Sequence, residues 1–576
     1  LLVRGVPGIG KSHLAEEATK QAEQRGFQFG TVRVLDFGAG AERDPHRQLA
    51  RVLAQAAGGL DALSGLQYAV LAGLTDVTLD IEAQQRLDAM SHTARHVTRG
   101  EALAALLSVA AARQPLFLNI EDVHWADANF LSTLVVLTDS AVETRTLLLM
   151  SSRLDPNPID ATWRAGLRQG HVATIDLAPI SVGEALEMSR QIGADLGQFA
   201  HDCVARAEGN PLFLEQLLRS RLSGESGALP DSLQNVVLAR IDQLPDTERQ
   251  ALQVASVLGQ QFKAQDLARL LDIAAFDGAP MVRRQLLRPV SDGYLFGHAL
   301  IHDGIYTALT RERRRGLHRK AAALYAGHDP ILHAEHLDRA EAEEAAAAYL
   351  KAADSEAAQH RLDRAARLAS RGLEVARSEA DRCLLGIAAG RRHLDIGGIQ
   401  AARPAFAVAL AAKPPDIDRC RGLIGLAACD RQAGAIDQAL THLATAEPIA
   451  LEIKALPLLA EINYLRGNLH FARGAAEECL SAHTAARRAA EVAGEAEWLA
   501  RAESGLGDAN YLRGRFGEAQ AHFQACVTIA EGAGLLRILP SNRCMMGNCH
   551  IFYCRFDDGL REVEAGHAAA LRIGDR

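Results

Sequence analysis

Short apolar runs and helical stretches alternate through the first 175 residues. Leu1-Leu2-Val3, Leu116 to Ile120 and Thr146 to Met150 are compact strings of Leu, Ile, Val and Met bounded by polar residues or glycine. Such runs read as strands of a parallel sheet buried on both faces. A helix is expected from about Lys11 to Arg25. Farther on the strand-like runs stop. Pro179 and Ser181 precede an amphipathic helix from about Val182, a second helix runs through Phe199 to Ala207, and Gly209-Asn210-Pro211 separates it from a third beginning at Leu212. From about residue 340 paired Ala-rich amphipathic helices follow one another. Ala427, Gly467, Gly507 and Gly547 recur at a spacing of 40 residues, and so do Gly434, Gly474, Gly514 and Cys554, and Ala439, Cys479, Ala519 and Gly559. An earlier, slightly shorter unit carries Gly390, Gly397 and Ala402. Small residues at fixed offsets let paired helices approach closely, and the glycine of the second series ends the first helix of each pair. This is the signature of a helical solenoid of tetratricopeptide repeat (TPR) type, with helices longer than the usual unit of about 34 residues allows.

Composition narrows the setting. The chain has 576 residues, 48% hydrophobic but only 5% aromatic, so its cores are built from Ala, Leu, Val and Ile. A net charge of −9 argues against a dominant nucleic-acid footprint, and nucleic acid is not an expected partner. The basic run Arg311, Arg313, Arg314 and Arg315 reads as a solvated helix face. No apolar run reaches the ~20 residues that span a membrane. The nine cysteines are scattered, none before Cys203, which is the usage of reduced thiols in a cytoplasm. Cys544, Cys549 and Cys554 are five residues apart, a spacing that spreads them around a helix and disfavours a metal site. Because the chain starts with Leu inside a strand and stops after a helical pattern, it is expected to be an internal piece of a longer protein.

The chemistry begins at once. Gly5, Gly10, Lys11 and Ser12 satisfy G-x-x-x-x-G-K-[ST] between a strand and a helix, the P-loop arrangement. Its backbone N–H groups curl around phosphate oxygens at the positive end of the following helix. Gly5, Val6, Pro7, Gly8, Ile9, Gly10, Lys11, Ser12 and His13 are therefore the expected ATP or ADP contacts. Lys11 is expected to reach the β- and γ-phosphates and Ser12 to ligand Mg²⁺. Glu121 and Asp122 follow the strand Leu116–Ile120 at its carboxyl end, where a P-loop enzyme holds Mg²⁺ and orders water. Glu121 stands at the position that is usually metal-side and Asp122 at the one that usually orients water. The usual order begins with Asp, so the division of roles stays open, and Asn119 interrupts the apolar strand without a sequence-level explanation. Arg153, after the strand from Thr146, is placed to sense a γ-phosphate.

EDVHWAD, SSR and AEGNPLFLEQLL together resemble the AAA-type ATPase domain of STAND signalling proteins. More narrowly they resemble large LuxR-type bacterial regulators and class III adenylate cyclases with an ATPase–TPR extension. The resemblance implies an α/β P-loop domain over 1–175, a helical lid over 176–222, a winged-helix domain over 223–335 and an all-α TPR-like solenoid over 336–576. It implies that Pro211 lies against the adenine and that a winged-helix histidine touches the β-phosphate of ADP. His298 matches that histidine best, with His302 as runner-up. It also implies a slow ATP-hydrolysing switch whose solenoid receives a protein partner or small effector, with self-association on activation. The output domain, a nucleotide cyclase or a transcription regulator, is expected outside this piece. Two other readings are a non-hydrolysing, nucleotide-bound TPR scaffold and a DNA-loading initiator-type ATPase.

Overall fold

The computed structural model describes residues 1–35, 44–63, 65–75, 77–168, 171–192, 198–222, 238–239, 241–242, 244–290 and 292–575. They divide into two compact units: residues 1–63, 74–76 and 100–342 in the first, residues 64–73, 77–99 and 343–576 in the second.

The first unit is built on five strands, β1 (Leu2–Arg4), β2 (Gln28–Arg33), β3 (Leu116–Glu121), β4 (Thr146–Ser152) and β5 (Thr174–Asp176), in the order β2-β3-β4-β1-β5. Every pairing is parallel. All six residues of β3 are buried, the polar Asn119 and Glu121 included. Helices α1 (Lys11–Gln24), α2 (Pro45–Ala57), α3 (Gly65–Ala72), α4 (Ile81–Ala89), α5 (His92–Arg113), α6 (Ala128–Val142) and α7 (Ala161–Ala165) follow in the chain. Val3 of β1, Ala15 and Ala22 of α1, Phe117 of β3 and Leu149 of β4 form one cluster, which seats α1 and hence the loop before it. The strand expected to end at Met150 continues through Ser151 and Ser152.

Next come α8 (Val182–Gln191), α9 (Gln198–Ala207) and α10 (Pro211–Leu222). Ser181 and Glu184 cap α8 reciprocally. Ala185, Cys203, Val204, Ala207, Leu214, Leu217 and Leu218 bury the faces of these three helices together. Beyond them, β6 (Gln261–Lys263), β7 (Leu287–Val290) and β8 (Gly293–Phe296) form an antiparallel sheet in the order β6-β8-β7. It packs with the helices Asp246–Leu258, Ala264–Leu271 and Ala299–Ala308 around Leu252, Phe262, Phe296 and Ile301. This is the expected winged-helix arrangement; residues 223–237, where that domain was placed to begin, lie outside the described residues.

The second unit is helical. From Ala345 to Arg572 twelve helices succeed one another as antiparallel pairs. The forty-residue series explain the packing. A Cβ built on Gly467 would meet the His483 ring at 2.3 Å, and one on Gly507 the Phe523 ring at 2.4 Å. Gly434, Gly474 and Gly514 follow the first helix of their pairs at φ of 75°, 72° and 69°, where glycine pays no steric cost. Cys554 takes the equivalent place at φ 53°. Ala439, Cys479 and Ala519 are fully buried. The solenoid helices are mostly 17 residues long, which accounts for the lengthened repeat. The second unit also takes in α3, α4 and the start of α5, a grouping absent from the linear domain order. There Arg537 donates to the carbonyls of Ala89 and Met90, His92 bonds Asp363, and His360 pairs with Asp88. Among the described residues no helix is long and apolar enough to cross a membrane.

Candidate nucleotide site

The loop between β1 and α1 is shaped by two left-handed glycines, Gly8 at φ 85° and Gly10 at φ 107°. Gly10 caps α1 and has no side chain to bond the first-turn amides, so these N–H groups and the helix dipole can face an anion. Lys11 is turned back on its own loop. Its Nζ donates to the carbonyls of Gly5 at 2.8 Å and Val6 at 3.1 Å. Burial pushes its ammonium below the usual lysine range, and the charges of Asp122 and Arg153 act on it. Ser12 and His13 are exposed on the first turn, while Ile9 is buried. Val6 is exposed and Pro7 half-buried.

The lid reaches this loop. Asn210 Nδ2 donates to the Pro7 carbonyl at 3.1 Å, and the Leu212 N–H donates to the Gly8 carbonyl at 3.3 Å. Gly209, at φ 74°, makes the turn, and Pro211 opens α10 between the two contacts. The sequence singled out Pro211 here; Asn210 is the residue that grips the loop, a role no sequence spacing states.

At the end of β3 the acidic pair separates. Glu121 is buried. Arg33 Nε donates to its Oε2 at 2.7 Å, the Arg33 Nη2 donates to the same oxygen, and Asn119 Nδ2 donates to Oε1 at 3.1 Å. That explains Asn119: it stands two residues before Glu121 on the same face of the strand and satisfies its carboxylate. Asp122 leaves the strand at φ 58°, and its N–H donates to Ser151 Oγ at 3.1 Å. Burial pushes its carboxyl up first and Glu121 adds to this, while Arg33, Lys11 and Arg153 oppose it. Arg153 follows β4, with its guanidinium 5.2 Å from the centre of the Trp125 ring. His124 has 3% of its side chain exposed, and its Nδ1 stands 4.0 Å from Asp122 Oδ1. Among the described residues neither ring nitrogen has a hydrogen-bond partner, and burial, then Arg153 and Lys11, lower its pKa to about 4.

His298 caps the helix Ala299–Ala308, its Nδ1 accepting from the Leu300 N–H at 3.1 Å. Burial, then the charges of Lys11 and Arg288, lower its pKa to about 4, so its ring belongs to the surroundings of Lys11. Arg288 pairs with Glu16 of α1. His302 is engaged elsewhere, bonding the Ser256 carbonyl at 2.9 Å and Asp303 at 2.9 Å. Lys11, Asp122, Arg153 and His298 thus form one electrostatic neighbourhood. Arg33 and His124 join it without having been singled out as site residues. HWAD carried the signal for His124 and Gly209-Asn210-Pro211 that for Asn210, though not its bond to Pro7; nothing local carried Arg33.

Residues 1–150 match the family model described as AAA ATPase domain. Over 99% of its length the chain superposes on a crystal structure from Pyrococcus horikoshii, a signal transduction ATPase with numerous domains (STAND) and a tetratricopeptide repeat sensor. That match has a TM-score of 0.54 at 14% identity and takes in 81% of the archaeal chain, so what is shared is the fold. A Rap protein complexed with competence and sporulation factor covers 46% of this chain and 73% of its own at 11% identity and TM-score 0.34. Aspartyl phosphate phosphatase F from Bacillus subtilis covers 69% and 91% at 14% identity and TM-score 0.34. No curated protein matches the sequence.

Proposed function

We propose that the chain is an ATP-binding, slowly ATP-hydrolysing signalling switch. Its nucleotide state answers to a protein partner or small effector on the TPR array and drives an output domain, a nucleotide cyclase or a transcription regulator. The carrying observation is that the P-loop is gripped from the lid by Asn210 and Leu212, with His298 in the surroundings of Lys11. A nucleotide held there meets the P-loop, lid and winged-helix segments of the first unit together, so its identity changes how they pack. On this reading ADP keeps them closed through His298 and Pro211, and ATP replaces it when an effector loosens them. The opened form self-associates.

The residues fit the nucleotide and its metal. Gly10 gives the first-turn amides of α1 no side-chain cap, Lys11 among the described residues bonds loop carbonyls that a phosphate would replace, and Ser12 is exposed next to it. Mg²⁺, when bound, would neutralise charge on the phosphates, held by Ser12 and the Glu121–Asp122 pair. Lys11 and Arg153 supply positive charge to the phosphate end, and Asp122 orients water.

The scaffold reading has one observation in its favour: the Glu121 carboxylate is fully engaged by Arg33 and Asn119. Single-turnover and steady-state ATP hydrolysis, beside Lys11→Ala and a Glu121→Gln/Asp122→Asn double variant, separates the two. Turnover by the parent, lost binding in Lys11→Ala and binding without turnover in the double variant support the switch. Tight Mg·ATP binding with no turnover at all in the parent supports the scaffold.

A further inference from the structure

Resting on the nucleotide-site reading above, we infer that Asp122, supported by His124, is the carboxylate that serves both Mg²⁺ and the attacking water, and that Glu121 is a structural anion fixed by Arg33 and Asn119. The position of Glu121 in the motif implies the opposite division. The geometry decides otherwise.

Arg33 and Glu121 face each other in the β2–β3 register, so their pairing is built into the sheet. Both carboxylate oxygens are taken, Oε2 by the Arg33 fork and Oε1 by Asn119. Glu121 is 5% exposed and the Arg33 side chain 27% exposed. Drawing Glu121 away would strand the guanidinium and leave the Asn119 amide without its acceptor. Breaking one side of a buried ion pair is costly even where the intact pair adds little. A metal ligand that must first abandon two partners is a poor one.

Asp122 stands in the opposite situation. The left-handed turn and the bond from its N–H to Ser151 fix its backbone. A non-glycine residue there stores strain, and such strain tends to gather at functional sites. Lys11 feels the charge of Asp122. His124 Nδ1 stands 4.0 Å from its Oδ1. A buried imidazole with neither nitrogen hydrogen-bonded among the described residues leaves two polar groups unsatisfied. A small closure of the 4.0 Å gap, or one water, gives Nδ1 its partner and fixes the Asp122 carboxylate. His124 is therefore a positioning residue acting through Asp122. In the reaction it supports, the water oxygen bonds the γ-phosphorus, the bond to the β–γ bridging oxygen breaks with its electron pair leaving on ADP, and both water protons end on inorganic phosphate as dihydrogen phosphate.

The test uses the full chain with Glu121→Gln, Asp122→Asn and His124→Gln. It reads ATP affinity with and without Mg²⁺, single-turnover rate and melting temperature. Asp122→Asn is expected to abolish the gain in ATP affinity that Mg²⁺ gives the parent while melting as the parent does. Glu121→Gln is expected to keep that gain within about threefold and to melt several degrees lower. His124→Gln is expected to slow single turnover by roughly tenfold or more with ATP affinity held within about threefold. If Glu121→Gln does not fold, the Arg33→Met/Glu121→Gln pair, which removes both charges, takes its place. Loss of the Mg²⁺ response in the Glu121 variant at unchanged melting temperature, or its retention in Asp122→Asn, overturns the assignment; so does an unchanged single-turnover rate in His124→Gln. A parent that binds Mg·ATP without hydrolysing it defeats the hydrolase reading instead, and the Mg²⁺ dependence of binding still decides between the two carboxylates.

Discussion

The Asn210 amide donates to the carbonyl of Pro7 across 203 residues of sequence, at 3.1 Å. The other end of the same side chain, Oδ1, accepts from the Phe213 N–H at 3.2 Å and so caps α10. One residue thereby starts a lid helix and holds the phosphate loop. Asn210→Ala is expected to lose a cap and a loop contact, about 1–2 kcal/mol of stability, and to weaken ATP and ADP binding by roughly tenfold at constant Mg²⁺. Thermal melting and titration with a fluorescent nucleotide check both. Binding unchanged with only the melt shifted would reduce Asn210 to a helix cap.

Gly8 is constrained from two sides. Its φ of 85° disfavours any side chain, and a Cβ there would lie 2.8 Å from Asn210 Oδ1 and 3.2 Å from Leu212 Cβ. Gly8→Ala is expected to push the lid off the loop and cost nucleotide affinity at least as severely as Asn210→Ala. Because both act on one contact, the double variant is expected to lose less than the two single losses combined. Strict additivity in a double-mutant cycle would show that they act separately.

His298→Ala removes the side-chain cap on Ala299–Ala308, a loss of about 1 kcal/mol. If His298 also meets the nucleotide, ADP affinity is expected to fall more than ATP affinity, because in the proposed switch the ADP-bound form is the closed one. Equal loss for both nucleotides would leave the residue as a cap alone.

His483 is fully buried between two glycines of the solenoid, Gly467 and Gly505, and burial lowers its pKa to about 4. The unfolded chain takes up a proton near pH 6.5 and the folded one does not until about pH 4. The stability held above pH 6.5 is therefore lost as pH falls through that interval, on the order of 3 kcal/mol for this group. Denaturant melts of the parent and His483→Phe between pH 7 and pH 4 test it; an identical pH slope in both would exclude His483 as the source. Gly467→Ala, whose Cβ would meet the ring at 2.3 Å, is expected to cost about 1–3 kcal/mol at neutral pH by overpacking.

Arg537 donates to the Ala89 carbonyl at 2.7 Å, to that of Met90, and to that of Asp88 at 3.4 Å. It covers the C-terminal end of α4 (Ile81–Ala89), where a cation also meets the helix dipole favourably. Arg537→Ala is expected to raise hydrogen exchange over residues 81–95 by about tenfold or more, while helices near Asp416–Glu452 keep their protection. Unchanged exchange over 81–95 would mean that the segment is held by its apolar contacts alone.

The sequence by itself determined what depends on neighbours in the chain. A P-loop is a run of consecutive backbone amides, so Gly5 to Ser12 announce it. The solenoid packs each helix against the next, so a forty-residue recurrence of Gly and Ala records its contacts directly. The acidic pair at the end of β3 is visible because a buried parallel strand is a largely apolar run, broken here only at Asn119, with a polar end. Only the tertiary structure decided what depends on distant partners. Arg33 meets Glu121 because β2 and β3 are adjacent in register, and no pattern within either strand encodes that adjacency. The same pairing explains Asn119 as the second donor to a buried carboxylate. Asn210 reaches Pro7, and Arg537 reaches Ala89, only after long loops have closed. Such contacts arise from three-dimensional packing and the need to satisfy buried polar groups, and these leave no periodic trace in a chain read one residue after another.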